Sequence, residues 1–381
     1  MARLAFLVLS ALAALVSAQS ASPGCGRALS NGQQPGGFYE ASVNNRRYFV
    51  SIPLRYSINK PAPLIVSYHA GSRDVQRQVN LDQFTDPNYN TDKIVVYPDG
   101  LTKPNCAQHS TCYKHYWSLG LRNFTADDIE FTKSILNAVQ DLYCIDKNRI
   151  FAAGKSQGAG LVGRLLACEP TLSQTFAAFA LVAPLLYTDV QPCVEPYKFP
   201  IPCSPGRTDV PILEFHGGRD RAAKYRGDYA RRPGECLPSV PWWIKTWVRN
   251  NGLDTKGNTM QLAADTPTTS ITKYGSGDKE GLVTHVFDSK LGHDWPSKSN
   301  NSDNNGRPAK FEATPMILDF FDAHPLRGSP ALSAPSIMQT EFDGFFKWRG
   351  GLSLNQDTID GLCSWKDYIG AAVVNFLNFV R

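Results

Sequence analysis

The stretch "IFAAGKSQGAGLVGRLL", Ile150 to Leu166, constrains the fold more than any other. An apolar run enters a turn that sets four glycines around one serine, and a second apolar run with helical spacing leaves it. Arg149 to Ala153 reads as a buried strand and Leu161 to Cys168 as a helix, so Gly154-Lys155-Ser156-Gln157-Gly158 falls at a strand-to-helix turn. With 30 glycines in 381 residues a G-x-S-x-G string arises by chance only about 0.2 times, and the bland alternative is a glycine-rich turn with an incidental serine. Position favours a nucleophile elbow. There the serine backbone is strained, and side chains two residues to either side would collide. Glycines at 154 and 158 remove that collision, while Gly160 and Gly163 let the helix lie close on neighbouring strands.

Apolar runs recur on both sides of this turn. Arg46 to Arg55, Pro63 to Tyr68 ("PLIVSY") and Lys93 to Tyr97 ("KIVVY") read as strands before it; "AAFALVAPLL", "PILEFHG" and "LVTHVF" follow it. Helices are expected from about Thr125 to Cys144, with Thr125 and Asp128 as a capping box, near Pro241 to Asn250, and from Ala313 to Ala323. Strands alternating with helices predict an α/β fold: a mainly parallel central sheet covered by helices on both faces, as in an α/β-hydrolase. Residues 1–18 read as a secretory signal, with Arg3, an apolar core and a Val-Ser-Ala end. Residues 19–326 form the expected catalytic domain. Residues 327–381, after the linker-like "GSPALSAPS", are an appended tail of no assigned structure.

The chemistry has to come from side chains, because no nucleotide-binding glycine motif and no zinc-spaced Cys/His cluster is present, and neither cofactor nor metal is expected. A net charge of +5 is spread without a basic stripe, which argues against nucleic acid, and no run is long enough to span a membrane. Nine cysteines suit an oxidising compartment, where Asn123 and Asn300 are glycosylation acceptors.

A serine hydroxyl needs an imidazole to take its proton and a carboxylate to orient that imidazole. In the order nucleophile, acid, base, His293 in the loop "GHDWP" is the expected base. His216 reads as a turn-shaping residue and His285 as a packing one. Asp220 follows the "PILEFHG" strand by three residues, at the sheet edge where the elbow opens, and is the expected acid, with Asp294 second. Asp209 precedes its strand and sits at the wrong end. The Gln157 N–H and one from "HAGS", Gly71 first and Ala70 second, would form the oxyanion hole. Trp295 is expected to wall the site.

"SYHAGSRD", "VVYPDG", "YCIDKNRIFAAGKSQGAG", "PILEFHGGRD", "CLPSVPWWI" and "GLVTHVFDSKLGHDWPS" together resemble secreted fungal feruloyl esterases of carbohydrate esterase family 1, which are related to polyhydroxybutyrate-depolymerase-like esterases. The resemblance runs from about Pro23 to His324 and implies Ser156 as nucleophile, Asp220 as acid and His293 as base. It implies feruloyl or other hydroxycinnamoyl esters of plant-wall arabinoxylan as substrate, with no cofactor and no nucleic-acid or membrane partner. Three departures stand out: Gln157 and Ala159 replace an Asn and a Gly, Lys224 stands where a Pro usually precedes Tyr225, and "HAGS" stands for His-Gly. The last two border the acyl pocket, where Tyr225 is a candidate contact. An acetyl-xylan esterase or polyester depolymerase is the enzymatic alternative, and a carbohydrate-binding pseudo-hydrolase the non-enzymatic one. Sequence does not fix the disulfide connectivity; one pairing among many joins Cys106 with Cys112 and Cys193 with Cys203 across short loops, Cys144 with Cys168 at the ends of the flanking helices, and Cys25 with Cys236 as the remainder, leaving Cys363 in the tail unpaired.

Overall fold

A computed structural model describes residues 20–30, 32–101, 115–118, 127–188, 193, 198–228 and 236–326. The expected signal segment, the tail with Cys363, Asn123, Cys106, Cys112 and the expected cap Thr125 lie outside them. Among the described residues ten strands form one sheet: β1 (Phe38–Val43), β2 (Arg46–Ser51), β3 (Ala62–Tyr68), β4 (Ile94–Pro98), β5 (Ile145–Lys155), β6 (Ala178–Val182), β7 (Ile212–Gly217), β8 (Asn258–Gln261), β9 (Thr269–Tyr274) and β10 (Val283–Asp288). Their order across the sheet is β1-β2-β4-β3-β5-β6-β7-β10-β9-β8. The six central strands from β4 to β10 are mutually parallel, and the outer pairs at both edges are antiparallel. This is the mainly parallel α/β sheet that the alternation of runs predicts, in the α/β-hydrolase architecture.

Strands β3, β4, β6 and β7 are buried along their whole length, as is β5 from Ile150 to Lys155, so they read as short, mainly apolar runs, while alternate residues serve opposite faces. Leu64 and Val66 of β3 join Ile150 and Ala152 of β5 on one face, packed with α2 (Asp128–Leu142) through Phe131, Ile135 and Val139, and with α5 (Val240–Asn250) through Trp243 and Trp247. Ile65, Phe151 and Ala153 face the other way, toward α1 (Val75–Asp82) and α6 (Ala313–Ala323). Helix α3 (Gln157–Leu161) begins directly after the elbow serine and passes into a π-helical turn, Val162–Leu166; the short α4 (Pro170–Thr175) follows. The elbow helix therefore starts four residues earlier than its apolar spacing suggests. Helix α2 is capped by Asp127, whose side chain accepts from the Glu130 N–H.

The disulfides correct the expected pairing. They join Cys25 to Cys144, Cys168 to Cys203 and Cys193 to Cys236. Spacing along the chain misleads because backbone hydrogen bonds decide what lies side by side. Ser22 N–H donates to Ile145 O and Gly24 N–H to Gln140 O, which pins the N-terminal segment beside Cys144. Ser204 N–H donates to Cys168 O, and Thr188 and Cys236 exchange two bonds.

Candidate active site

Four loops leave the C-terminal ends of parallel strands and converge: His69 to Gly71 after β3, Ser156 after β5, Asp220 after β7 and His293 after β10. Ser156 has φ 56° and ψ −114°, the conformation of the first central residue of a type II′ turn, where glycine is preferred. Neighbouring backbone holds it there: Ser156 N–H donates to Val182 O, and Ser156 O accepts from Gly160 and Leu185. The glycines are needed for close approach. A Cβ on Gly158 would stand 2.3 Å from Tyr68 O, and one on Gly154 would stand 2.6 Å from the Gly158 carbonyl carbon.

The Ser156 hydroxyl donates to His293 Nε2 at 2.7 Å, and His293 Nδ1 donates to Asp220 Oδ2 at 2.7 Å. The second Asp220 oxygen accepts from the Ala222 and Ala223 N–H groups. Burial works against ionisation of Asp220, but the bond from His293 and its nearby charge outweigh it and hold the carboxyl below its ordinary range. His293 is lowered, first by burial and then by the Lys155 charge, against the pull of Asp220. It is thus a neutral acceptor aimed at the hydroxyl, and its side chain is still 25% exposed. Asp294, the second candidate acid, instead accepts from the Gly292 N–H.

Gln157 opens α3, so its N–H is among those that helix geometry leaves unpaired. Gly71 lies against it: a Cβ there would meet Gln157 Oε1 at 2.6 Å. Behind this loop His69 is buried and pushed down to about 4 by desolvation. Its Nδ1 donates to Ala70 O, its Nε2 accepts from the Gly100 N–H, and its carbonyl accepts from Trp117 Nε1. Ligand-type atoms of His69, Asp99 and His115 lie within 4.8 Å of one another. These are already committed to hydrogen bonds, and Arg47 pairs with Asp99 at 2.7 Å, so a bound dication would face an existing cation.

One expected substrate contact is placed differently. Trp295 is 1% exposed; its Nε1 donates to Thr314 Oγ1 and its ring meets Phe84 edge-on, so it is core beneath α6 rather than a wall of the site. Tyr225 packs on Phe287 and stacks over His285, whose Nε2 its hydroxyl meets at 3.1 Å. Asn300, by contrast, is exposed.

No family model matches the chain. Feruloyl esterase B of Piromyces equi is 27% identical over 263 residues, which cover 66% of this chain and 44% of that protein. Feruloyl esterase D of Neurospora crassa is 32% identical over 170 residues, 41% of this chain and 51% of that one. Feruloyl esterase C of Emericella nidulans is 30% identical over 239 residues, 61% of this chain and 69% of its own length. The chain belongs to the feruloyl esterase family. It spans about half the length of the Piromyces and Neurospora proteins.

Two features of this feruloyl esterase family member had no functional signal in the sequence beyond a polar residue inside an apolar run. Lys155, 1% exposed, donates from Nζ to His293 O at 3.2 Å and lies 3.3 Å from Asp303 Oδ2, so it ties the residue before Ser156 to the loop that carries His293. Glu214 in β7 is fully buried and accepts from His216 Nδ1 at 2.8 Å and from His285 Nδ1 at 2.6 Å. His216 Nε2 faces Ala223 O at 2.7 Å, which can only accept, so the imidazole donates there and closes the turn that carries Asp220.

Proposed function

We propose that the chain is a secreted serine esterase that cleaves feruloyl and related hydroxycinnamoyl esters of plant cell-wall arabinoxylan through an acyl-enzyme. The continuous path Ser156 Oγ to His293 to Asp220, with both bonds at 2.7 Å, carries this reading. Family membership supports the choice of substrate. In the proposed reaction Ser156 attacks the ester carbonyl while His293 Nε2 takes its proton, and Asp220 holds the resulting imidazolium in place. His293 then gives the proton to the departing sugar oxygen. Water enters by the same route, losing its proton to His293 as it attacks the acyl carbon, and Ser156 leaves with that proton. The Gln157 and Gly71 N–H groups receive the negative oxygen of each tetrahedral intermediate.

Secretion is supported by the signal-like residues 1–18 and by three disulfides, which suit an oxidising compartment. Among the described residues no helix is long and apolar enough to cross a membrane. The test compares kcat/KM on methyl ferulate and 4-nitrophenyl acetate. Methyl ferulate should be preferred, and a clear preference for acetyl would overturn the acyl assignment. Ser156→Ala should abolish turnover, and Asp220→Asn should lower kcat on the order of 10⁴-fold, by the precedent of other Ser-His-Asp enzymes. An Asp294→Asn variant equally crippled would remove Asp220 from the role of acid.

A further inference from the structure

A cleft of about 1010 Å³ opens beside His293, walled by the turn after β7, the segment leading into β9, the loop after β10 and residues 303–310. That is the upper end of the size usual for small-molecule sites. Its lining carries five exposed cations, Arg219, Arg221, Lys290, Arg307 and Lys310, and among the described residues none is in ion-pair contact with a carboxylate. Four carboxylates share the wall, three of them held in hydrogen bonds or an ion pair. Asp288 is buried and accepts from the Thr268 and Thr269 hydroxyls and from the Lys290 and Leu291 N–H groups. Asp303 faces Lys155, and Asp294 holds the Gly292 N–H. Asp265 is exposed, so four carboxylates, one of them paired with Lys155, stand against the five exposed cations. The cations outnumber the carboxylates and stand nearer to solvent, which leaves a positive excess in the concave wall that an anionic ligand would relieve.

Which half of an ester the cleft takes follows from the direction of proton transfer. The nitrogen that accepts the serine proton must hand it to the leaving oxygen, so the alcohol half departs on the imidazole side of the nucleophile. His293 lines the cleft. No aromatic side chain lines it, so it offers no platform on which a hydroxycinnamoyl ring would stack. Resting on the esterase reading above, we propose that this cleft is the subsite for the sugar chain and that it favours polysaccharides bearing uronate carboxylates near the esterified sugar. Arg221 and Arg307 supply forked donors matched to a carboxylate, and the lysines supply charge.

Two measurements test this. The first is kcat/KM on feruloylated xylo-oligosaccharides with and without a uronic acid branch, taken as a ratio at low and at 0.5 M NaCl. One good ion pair corresponds to about tenfold, so the ratio should be about ten at low salt, fall toward one at high salt, and fall likewise in the Arg221→Gln/Arg307→Gln double variant. Because the neutral oligosaccharide is measured in every variant, misfolding lowers both rates and leaves the ratio unaltered. A ratio near one at low salt, or a preference that survives both salt and the double variant, overturns the proposal. The second is calorimetric binding of trigalacturonate and xylotriose to the intact Ser156→Ala chain. Tighter binding of trigalacturonate, lost at high salt, supports the subsite; equal affinities defeat it. If methyl ferulate is not hydrolysed at all, the esterase reading fails while the calorimetry still decides the subsite.

Discussion

Replacing the elbow serine by glycine and by alanine separates strain from chemistry. Both variants lose the hydroxyl and its bond to His293, so that cost cancels between them. The difference is the backbone. At φ 56° and ψ −114° an alanine keeps its Cβ in a region that L-residues avoid at a cost of about 1–3 kcal/mol, whereas glycine adopts it freely. Against this, glycine surrenders more entropy on folding, about 0.5–1 kcal/mol. Ser156→Gly should therefore be the more stable by about 1 kcal/mol, reversing the usual order of the two residues. In a domain of this size that is roughly 2 °C in Tm. Both should be inactive, with kcat down by a factor on the order of 10⁶. The assay is calorimetric or denaturant unfolding of the two proteins side by side. If Ser156→Ala matches or exceeds Ser156→Gly in stability, the elbow does not store the strain its dihedrals imply, and the reason offered for its surrounding glycines is undermined.

Other expectations concern neighbours of the triad. In the proposed reaction His293 is the neutral base, so the rate should be lost as pH falls through its pKa, which burial and Lys155 hold below the ordinary imidazole value. Lys155→Met should move this acid limb of the kcat/KM profile to higher pH, so that activity suffers more at pH 5 than at pH 8, while Lys155→Arg should leave the limb nearer its original place; a limb unmoved by Lys155→Met would refute the charge effect. Trp295→Ala should cost about 3–5 kcal/mol of stability, as large core deletions do, with KM for methyl ferulate little changed. A large rise in KM at intact stability would return Trp295 to the substrate wall. Peptide mapping without reductant should recover Cys25 with Cys144, Cys168 with Cys203 and Cys193 with Cys236, and a Cys193–Cys203 peptide would contradict the fold of that region.

What the sequence determined by itself is what local chain chemistry encodes. Central strands are buried on both faces, so "PLIVSY", "KIVVY" and "PILEFHG" announce themselves as short apolar runs. The elbow announces itself because a backbone that close to Tyr68 and His69 tolerates only glycine at 158. Ser156, Asp220 and His293 could be placed because the ends of parallel strands share one edge, so chain order alone brings them near one another. Edge strands gave no such signal: β8 reads "NTMQ" and is exposed throughout, with nothing apolar to mark it. Tertiary structure decided everything that depends on which distant segments touch. Trp295 sits in a loop without periodicity, so no pattern says that it turns inward beneath α6. Glu214 and His285 are register partners across the β7–β10 pair, and their hydrogen bond exists only once that register is set. The disulfide partners and the cations beside His293 come from segments tens of residues apart along the chain. The physical reason is common to all of these. Hydrophobic periodicity and glycine geometry act over a few residues and are written in the chain, whereas pairing and charge clustering act through space and are defined only after the sheet has brought the segments together.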